Sequence, residues 1–389
     1  MRLLIVDPNF SVSSPSMKGV LRSLPWFRQM GIQTEVWCWY CDENLPVDKV
    51  VKLPRLGRLH PLGGYAFSFW ARRRARKLFN SGREPRPDLV YTIAWYLPDC
   101  DVCHVHFSPF DWERRQRTLG IRSLRDLADR VINLLGIVSA RRFLRQTTAR
   151  LILTVSHAVA GDLAEEEADV PVRVLPNSYD AVRFRPEVRA RYRESRRQTL
   201  GFADHDHVFV FASAGHYRRK GFFLAVEALA LLRKEHQGVK FLVLGGRENR
   251  LQELQQQLDA QFSDWKGWIT FTGMVSDMEQ YLAAGDALLF PSYSEAFALV
   301  EVEAAACGLP LFLTRHHGSE MIMEDGLNGR YVEFDPADAA RVLGEFVTGA
   351  WKPGGVYLKD AIDSETYARR LADELLMTAA AKPSPSYDD

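Results

Sequence analysis

The chain predicts an α/β protein made of two successive domains with parallel sheets. Three observations carry this. Short apolar runs of buried-strand length alternate with segments of helix composition. The alternation stops at a charged stretch, RPEVRARYRESRRQ over 185–198, and then restarts. Charge divides along the chain as well: residues 1–180 carry a net +7 and the remainder −6. Opposite signs suggest domains with different partners. The expected boundaries are 1–182 and 183–360, with a terminal segment at 361–389.

The first domain opens on RLLIVD (2–7), a run that fits a buried parallel strand. VLRSLPWFRQMG reads as helix disturbed by Pro25 and ended by Gly31. IQTEVWCWY, PDLVYTIAW, DVCHVHF, ARLILTVS and VRVLPNS follow as strand candidates. HAVAGDLAEEE and the Arg-rich 111–150 read as helical. The second domain repeats the pattern. HVFVFASAG, VKFLVLGG, WITFTGMV, DALLFPS and LPLFLT are strands. Helices are expected at 222–236, 248–262, 276–284 and 296–307. DSETYARRLADELLMTAAA (363–381) is a terminal helix, and KPSPSYDD a fraying tail.

The composition, 47% hydrophobic and 25% charged, is that of a soluble globular chain. Five cysteines in 389 residues do not make a disulfide scaffold. MRLLIVDPNF has too short an apolar run for a signal peptide, and no run reaches the roughly 20 residues of a membrane span. A reducing cytoplasm is the expected compartment. FWARRRARKLF (69–79) is the sharpest basic cluster. It suits an anionic membrane surface or a phosphorylated substrate, with Phe69, Trp70, Leu78 and Phe79 as apolar anchors. It equally suits a helix with solvated arginines. Nucleic acid is not expected, since no binding module is visible.

PSYSEAFALVEVEAAACGLP (291–310) is the most informative stretch. Ser292 and Glu295 have capping-box spacing, and Gly308 and Pro310 end the helix. Apolar side chains surround most of it, so Glu303 falls on a buried-looking face and needs hydrogen-bond donors. Ligand hydroxyls or an arginine would serve. SAGHYRRKG (213–221) leaves a strand and enters a helix, which places Arg218, Arg219 and Lys220 where a diphosphate can bind. A solvated basic turn is the plainer reading.

With these motifs in view, the second half resembles the retaining, nucleotide-sugar-dependent glycosyltransferases of family 4. EAFALVEVE aligns Glu295 and Glu303 with the family's E-x7-E signature. Arg218 and Lys220 match its diphosphate-binding basic pair. VLPNSYDAVRFRP (174–186) resembles the hinge, and FTGMVSDMEQYLAAGDALLFPS and EMIMEDGLNGRYV resemble further family segments. The resemblance implies the GT-B fold: two Rossmann-like domains facing a central cleft, with the C-terminal helix crossing back. It implies a UDP-sugar or GDP-sugar donor, no separate cofactor, and a glycan or lipid-linked acceptor in cell-surface polysaccharide or lipopolysaccharide synthesis. Glu295 would contact the donor sugar and Glu303 the ribose, beside Phe297, Ala298 and Leu299. Gly19, following SPSMK, stands for the family's N-terminal glycine-rich loop. The departures are Ala296 and Ala298 for glycines, His316 and His317 for a Gly-Gly pair, and Ser178 for a glycine. No D-x-D triplet is assigned to a metal bridge, and metal independence is expected. A nucleotide-sugar 2-epimerase and a noncatalytic nucleotide-sugar-binding protein are the alternatives.

CDVCHVHF (100–107) carries C-x-x-C-H, the form of a haem attachment site, and with CWYC (38–41) two C-x-x-C pairs of the kind that hold zinc; the motif is embedded in a strand and the pairs fall on different strands, so scaffold cysteines are expected instead. Strand alternation puts His104 and His106 on one side. His106, nearer the strand's carboxyl end, is favoured to meet the acceptor over His104 or a purely structural role. Asp111, Asp7 and Lys18 are weaker candidates.

Overall fold

A computed structural model describes residues 1–55, 63–79, 86–121, 124–355 and 358–381. The chain separates into two compact units. Unit 1 is Met1–Ser178 together with Ile362–Asp389, and unit 2 is Tyr179–Ala361.

Unit 1 contains, in order, β1 (Arg2–Val6), α1 (Lys18–Gln29), β2 (Gln33–Cys38), β3 (Lys49–Lys52), α2 (Gly63–Phe79), β4 (Leu89–Ile93), β5 (Val102–Val105), α3 (Pro109–Leu119), α4 (Leu124–Gln146), β6 (Leu151–Thr154), α5 (His157–Glu165) and β7 (Val172–Val174). Its strands form one parallel seven-stranded sheet in the order β3-β2-β1-β4-β5-β6-β7. The run read as one helical segment over 111–150 is two helices. Ser108 starts the first: its Oγ accepts the Asp111 N–H (3.3 Å), and Pro109 occupies the first turn.

Unit 2 begins with α6 (Glu187–Leu200), then β8 (His207–Ala212), α7 (Phe222–Leu232), β9 (Val239–Leu244), α8 (Glu248–Gln261), β10 (Ile269–Phe271), α9 (Met278–Ala284), β11 (Ala287–Phe290), α10 (Leu299–Ala306), β12 (Leu311–Leu313), α11 (Ser319–Ile322), β13 (Gly329–Tyr331) and α12 (Pro336–Val347). Its six parallel strands are ordered β10-β9-β8-β11-β12-β13. Val208 to Ala212 are all buried, as expected where helices cover both faces of a parallel sheet. The charged stretch read as a border is α6, an integral part of this unit. Arg197 is 3% exposed and donates to Asp286 Oδ2 (3.2 Å), Ala284 O (3.1 Å) and Asp206 O (2.8 Å). A guanidinium this buried needs acceptors of this kind, which its two Nη atoms find while Nε stays without a partner.

In both units the chain steps outward in opposite directions from two central strands, β1 and β4 in one, β8 and β11 in the other. This is the Rossmann order. Ligands in such sheets bind outside the carboxyl ends of strands at that switch point.

The last helix, α13 (Ser364–Ala380), belongs to unit 1. Tyr367, Leu371 and Leu375 are fully buried in one core with Val20, Leu24 and Phe27 of α1. Each such aliphatic side chain contributes about 1.5–3 kcal/mol. Gly19 explains the closeness of the two helices. It lies within α1, not in a glycine-rich loop, and a Cβ there would sit 2.6 Å from the Tyr367 ring. The packing contact with Tyr367 was not expected from the sequence. Residues 382–389, expected to fray, lie outside the described residues.

Candidate functional site

Two loops leave the carboxyl ends of β8 and β11 at the unit 2 switch point. The first, Ser213–Gly221, carries the basic turn. It is closed by Lys220 N–H to His216 O (3.0 Å) and Gly221 N–H to Arg218 O (3.1 Å). His216 takes a positive φ of 56°, a conformation that an L side chain adopts only where its surroundings hold it. The second, Pro291–Ala298, carries Glu295. The loops are tied to each other: Tyr293 N–H donates to Arg219 O (2.8 Å) and Arg219 Nη1 donates to Ser294 O (2.8 Å). Gly221, at φ 77°, would bring a Cβ to 1.9 Å from Pro291 O. Only glycine allows that approach.

Glu295 is the centre of this arrangement. Lys220 Nζ lies 3.3 Å from its Oε1, Arg219 Nη1 3.9 Å, and the Ser292 hydroxyl donates to it at 3.3 Å. Its side chain is 11% exposed. Burial alone would raise its pKa, but Lys220, Arg219 and His316 outweigh burial and hold the carboxyl below the ordinary range. Ser292 and Glu295 do meet, but they do not cap the helix. α10 starts only at Leu299, with Ala298 at its cap. Glu295 thus stands in the loop before the helix, free of its backbone. Arg219, left aside in favour of its neighbours, joins Lys220 here.

The third loop, after β12, completes the wall. Gly318 (φ 87°) packs against the E-A-F-A backbone, and a Cβ on it would fall 2.7 Å from Ala296 O and Phe297 Cα. Ala296, Phe297 and Ala298 are buried, while Leu299 and Glu303 are half-buried. His316 Nε2 and Glu301 Oε1 lie 2.7 Å apart with both side chains at 0% exposure. Burial raises the Glu301 pKa against the pull of His316. Burial opposes protonation of His316, yet Glu301 and then Glu295 raise it above its ordinary value. Both groups therefore keep their protons to higher pH than they would in water. Glu301 was not singled out in the sequence, although it lies inside the signature. His316 registered only as a missing glycine.

Unit 1 presents its own carboxyl edge. His104 is sealed in β5, with Nδ1 2.7 Å from the Tyr91 hydroxyl. His106 follows on the same face, the two rings 4.2 Å apart. Both ring nitrogens of His106 are buried with no hydrogen-bond partner of good geometry. Burial pushes its pKa down to about 4, with Asn177 opposing, so the ring is neutral near pH 7. Asp7, at the end of β1 beside the switch point, is 4% exposed and pushed up to about 7 by burial, against the Asn9 amide. Asp111 is buried in the first turn of α3 with Arg115 3.6 Å away. Lys18 is the first residue of α1.

The cysteines take scaffold positions. Cys100 faces Thr147 (3.9 Å) and Cys103 donates to Ala94 O (3.3 Å), both buried. Among the described residues no three His, Cys, Asp or Glu side chains are grouped to hold a metal. Two D-x-D triplets passed over in the sequence do occur, at 99–101 and 204–206. Asp101 accepts the Val90 N–H (2.8 Å) and Arg150 (3.1 Å), and Asp206 the Ala203 N–H (2.8 Å). Both triplets precede their strands, at the sheet edges opposite the loops described above.

Residues 206–348 match the family model described as "Glycosyl transferases group 1". Among curated proteins, the chain is 31% identical over 211 residues to a D-inositol 3-phosphate glycosyltransferase of Corynebacterium jeikeium, covering 51% of this chain and 49% of that one. It is 34% identical over 142 residues to the lipopolysaccharide core biosynthesis glycosyltransferase LpsE of Rhizobium meliloti, covering 36% and 39%. The chain thus spans half or less of the length of these relatives. The crystal structure of Anabaena HepE in complex with UDP and glucose superposes with a TM-score of 0.67 and 19% identity, over 97% of this chain and 99% of that one. That likeness carries the fold, two Rossmann-like α/β domains of the GT-B kind.

Proposed function

We propose that the chain is a retaining glycosyltransferase of family 4. It moves a hexosyl group from a UDP- or GDP-sugar to a glycan or lipid-linked acceptor in cell-surface polysaccharide or lipopolysaccharide synthesis. The observation that carries this is the half-buried Lys220–Glu295–Arg219 cluster at the unit 2 switch point. The matching family model and the printed activities of the relatives support it. All five cysteines are free thiols, which suits a reducing cytoplasm.

The chemistry follows from the charges. The bond from the anomeric carbon to the diphosphate oxygen breaks, and its electron pair leaves with the diphosphate. Arg218 and Lys220 stabilise that growing charge, so their contribution is larger in the transition state than in the ground state. The acceptor oxygen bonds to the anomeric carbon on the same face, and its proton passes to the departing phosphate. Two fixed cations perform the neutralisation that a metal performs elsewhere, which makes the reaction metal-independent. Glu295, kept ionised by Lys220, accepts from donor-sugar hydroxyls, and Glu303 accepts from the ribose. Phe297, Ala298 and Leu299 present their backbone to the donor. His106, neutral near pH 7, meets the acceptor hydroxyl.

The test is a screen of UDP- and GDP-sugars against lipid-linked and lipopolysaccharide acceptors, with product configuration read by NMR. Acceptor-dependent nucleotide release, retained configuration and indifference to chelator are expected. Isomerised free sugar without acceptor would mean an epimerase, and an inverted product would remove the retaining assignment.

A further inference from the structure

α2 and α4 of unit 1 border a groove of about 720 Å³. Arg72, Arg73, Arg76 and Lys77 of α2 and Arg142 of α4 line it, and no carboxylate does. None of the five makes an ion pair among the described residues. Arg72 Nε is buried with no hydrogen-bond partner. The apolar part of the lining includes Phe69, Leu135 and Val138, with Phe69 58% and Val138 64% exposed.

The exposed apolar surface continues along α4 beyond the groove. Leu127, Val131, Leu134, Leu135 and Val138 are all exposed. Their spacing puts them on one helical face about 16 Å long. Asp126 and Asp129 fall away from that face of the wheel. A soluble helix normally turns such a stripe to the core; here it lies open beside a wall of cations. The anchors expected from the sequence are only partly right. Phe79 stacks on Trp37 (6.2 Å) inside unit 1, and α4 supplies most of the apolar surface instead.

We propose that this groove binds the phosphate of an anionic phospholipid headgroup and lays unit 1 on a negatively charged bilayer surface, with Phe69 and the apolar face of α4 entering the interface. Five cations with no acid among them select an anion. A soluble phosphate would account for the cations alone. The adjoining stripe of large aliphatic side chains calls for a partner with an apolar interior directly beneath its negative charge, which is the cross-section of an anionic leaflet. No helix among the described residues is long and apolar enough to cross a membrane, so the contact is interfacial. It does not depend on the transfer reaction.

Vesicle co-sedimentation of the full chain tests this, using phosphatidylcholine alone against an equimolar mixture with phosphatidylglycerol. Binding to the mixed vesicles only, weakening as salt is added, is expected. Arg73→Gln, Arg76→Gln and Lys77→Gln together should lower the partition coefficient roughly a hundredfold. Leu134→Ser with Val138→Ser, both exposed, should lower it roughly tenfold while leaving charge unchanged. A control with the same charge loss on unit 2 (Arg250→Gln, Lys266→Gln and Arg341→Gln) should bind as the parent does. Equal loss in control and groove variants, equal binding to neutral vesicles, or competition by inorganic phosphate without any need for vesicles would overturn the proposal. So would a solution dimer that is abolished by the serine variants and does not bind vesicles.

Discussion

The two units share one strand order and one kind of crevice, yet treat buried ionisable groups in opposite ways. At the unit 1 edge burial wins: His106 is driven down to about 4 and Asp7 up to about 7. At the unit 2 edge a carboxyl of similar burial is kept ionised, because Lys220 and Arg219 stand beside it. The fold supplies desolvation in both places. What decides charge is whether the neighbouring loop brings a partner. A neutral surface suits a hydroxyl acceptor, and a charged one suits a diphosphate.

Removing the partner should erase the difference. Lys220→Ala and Glu295→Ala should each lower transfer by roughly a hundred- to a thousandfold with the fold intact, the scale for losing a preorganised charge at a leaving group. Near-normal turnover in both would end the site assignment. In Lys220→Ala the Glu295 carboxyl should titrate at higher pH than in the parent, following Asp7.

Unit 2 also contains a pair in which neither tendency wins outright. His316→Ala leaves Glu301 buried without its partner and should destabilise unit 2 by about 3–5 kcal/mol. Replacing both by apolar residues should cost much less, and chemical denaturation compares the two. The pH dependence has a definite sign. The folded pKa of His316 is raised above 6.5, so its contribution is fully present below that value. It is lost as pH rises through the folded pKa. Glu301, also raised, acts in the same direction. The gap in stability between the parent and the apolar double variant should shift against the parent as pH rises past 6.5. A shift the other way would mean that the pair holds no extra proton.

In unit 1 the sharpest steric test is Gly19→Ala. Its Cβ would meet the Tyr367 ring, and overpacking of this kind costs about 1–3 kcal/mol. Smallest is His106→Ala. Loss of one hydrogen bond to the acceptor should lower acceptor kcat/KM about tenfold and leave nucleotide affinity unchanged. Equal losses in both would place His106 on the donor side.

Much of this was legible in the chain. The strands of unit 2 read cleanly because buried parallel strands are continuous apolar runs, and EAFALVEVE and HYRRKG mark the loops that meet. The errors share a cause. Ser292 and Glu295 have capping spacing, but a three-residue interval does not reveal that the loop turns toward Arg219 before the helix begins. RPEVRARYRESRRQ reads as a solvated border because Asp286, which neutralises Arg193 and Arg197, lies some 90 positions away. Glu301 lies in α10 and His316, 15 residues on, in the loop after β12, so no local pattern joins them.

The sequence by itself determined the alternation of strands and helices, the division into two α/β halves and the identity of the basic turn and the acidic loop. These depend on neighbours within a few residues, where periodicity and turn chemistry act. Only the tertiary structure decided which charges are paired, which apolar face stays open on α4, and that Gly19 serves a helix contact with Tyr367. Those outcomes depend on desolvation and close approach, which exist only once distant segments are brought together.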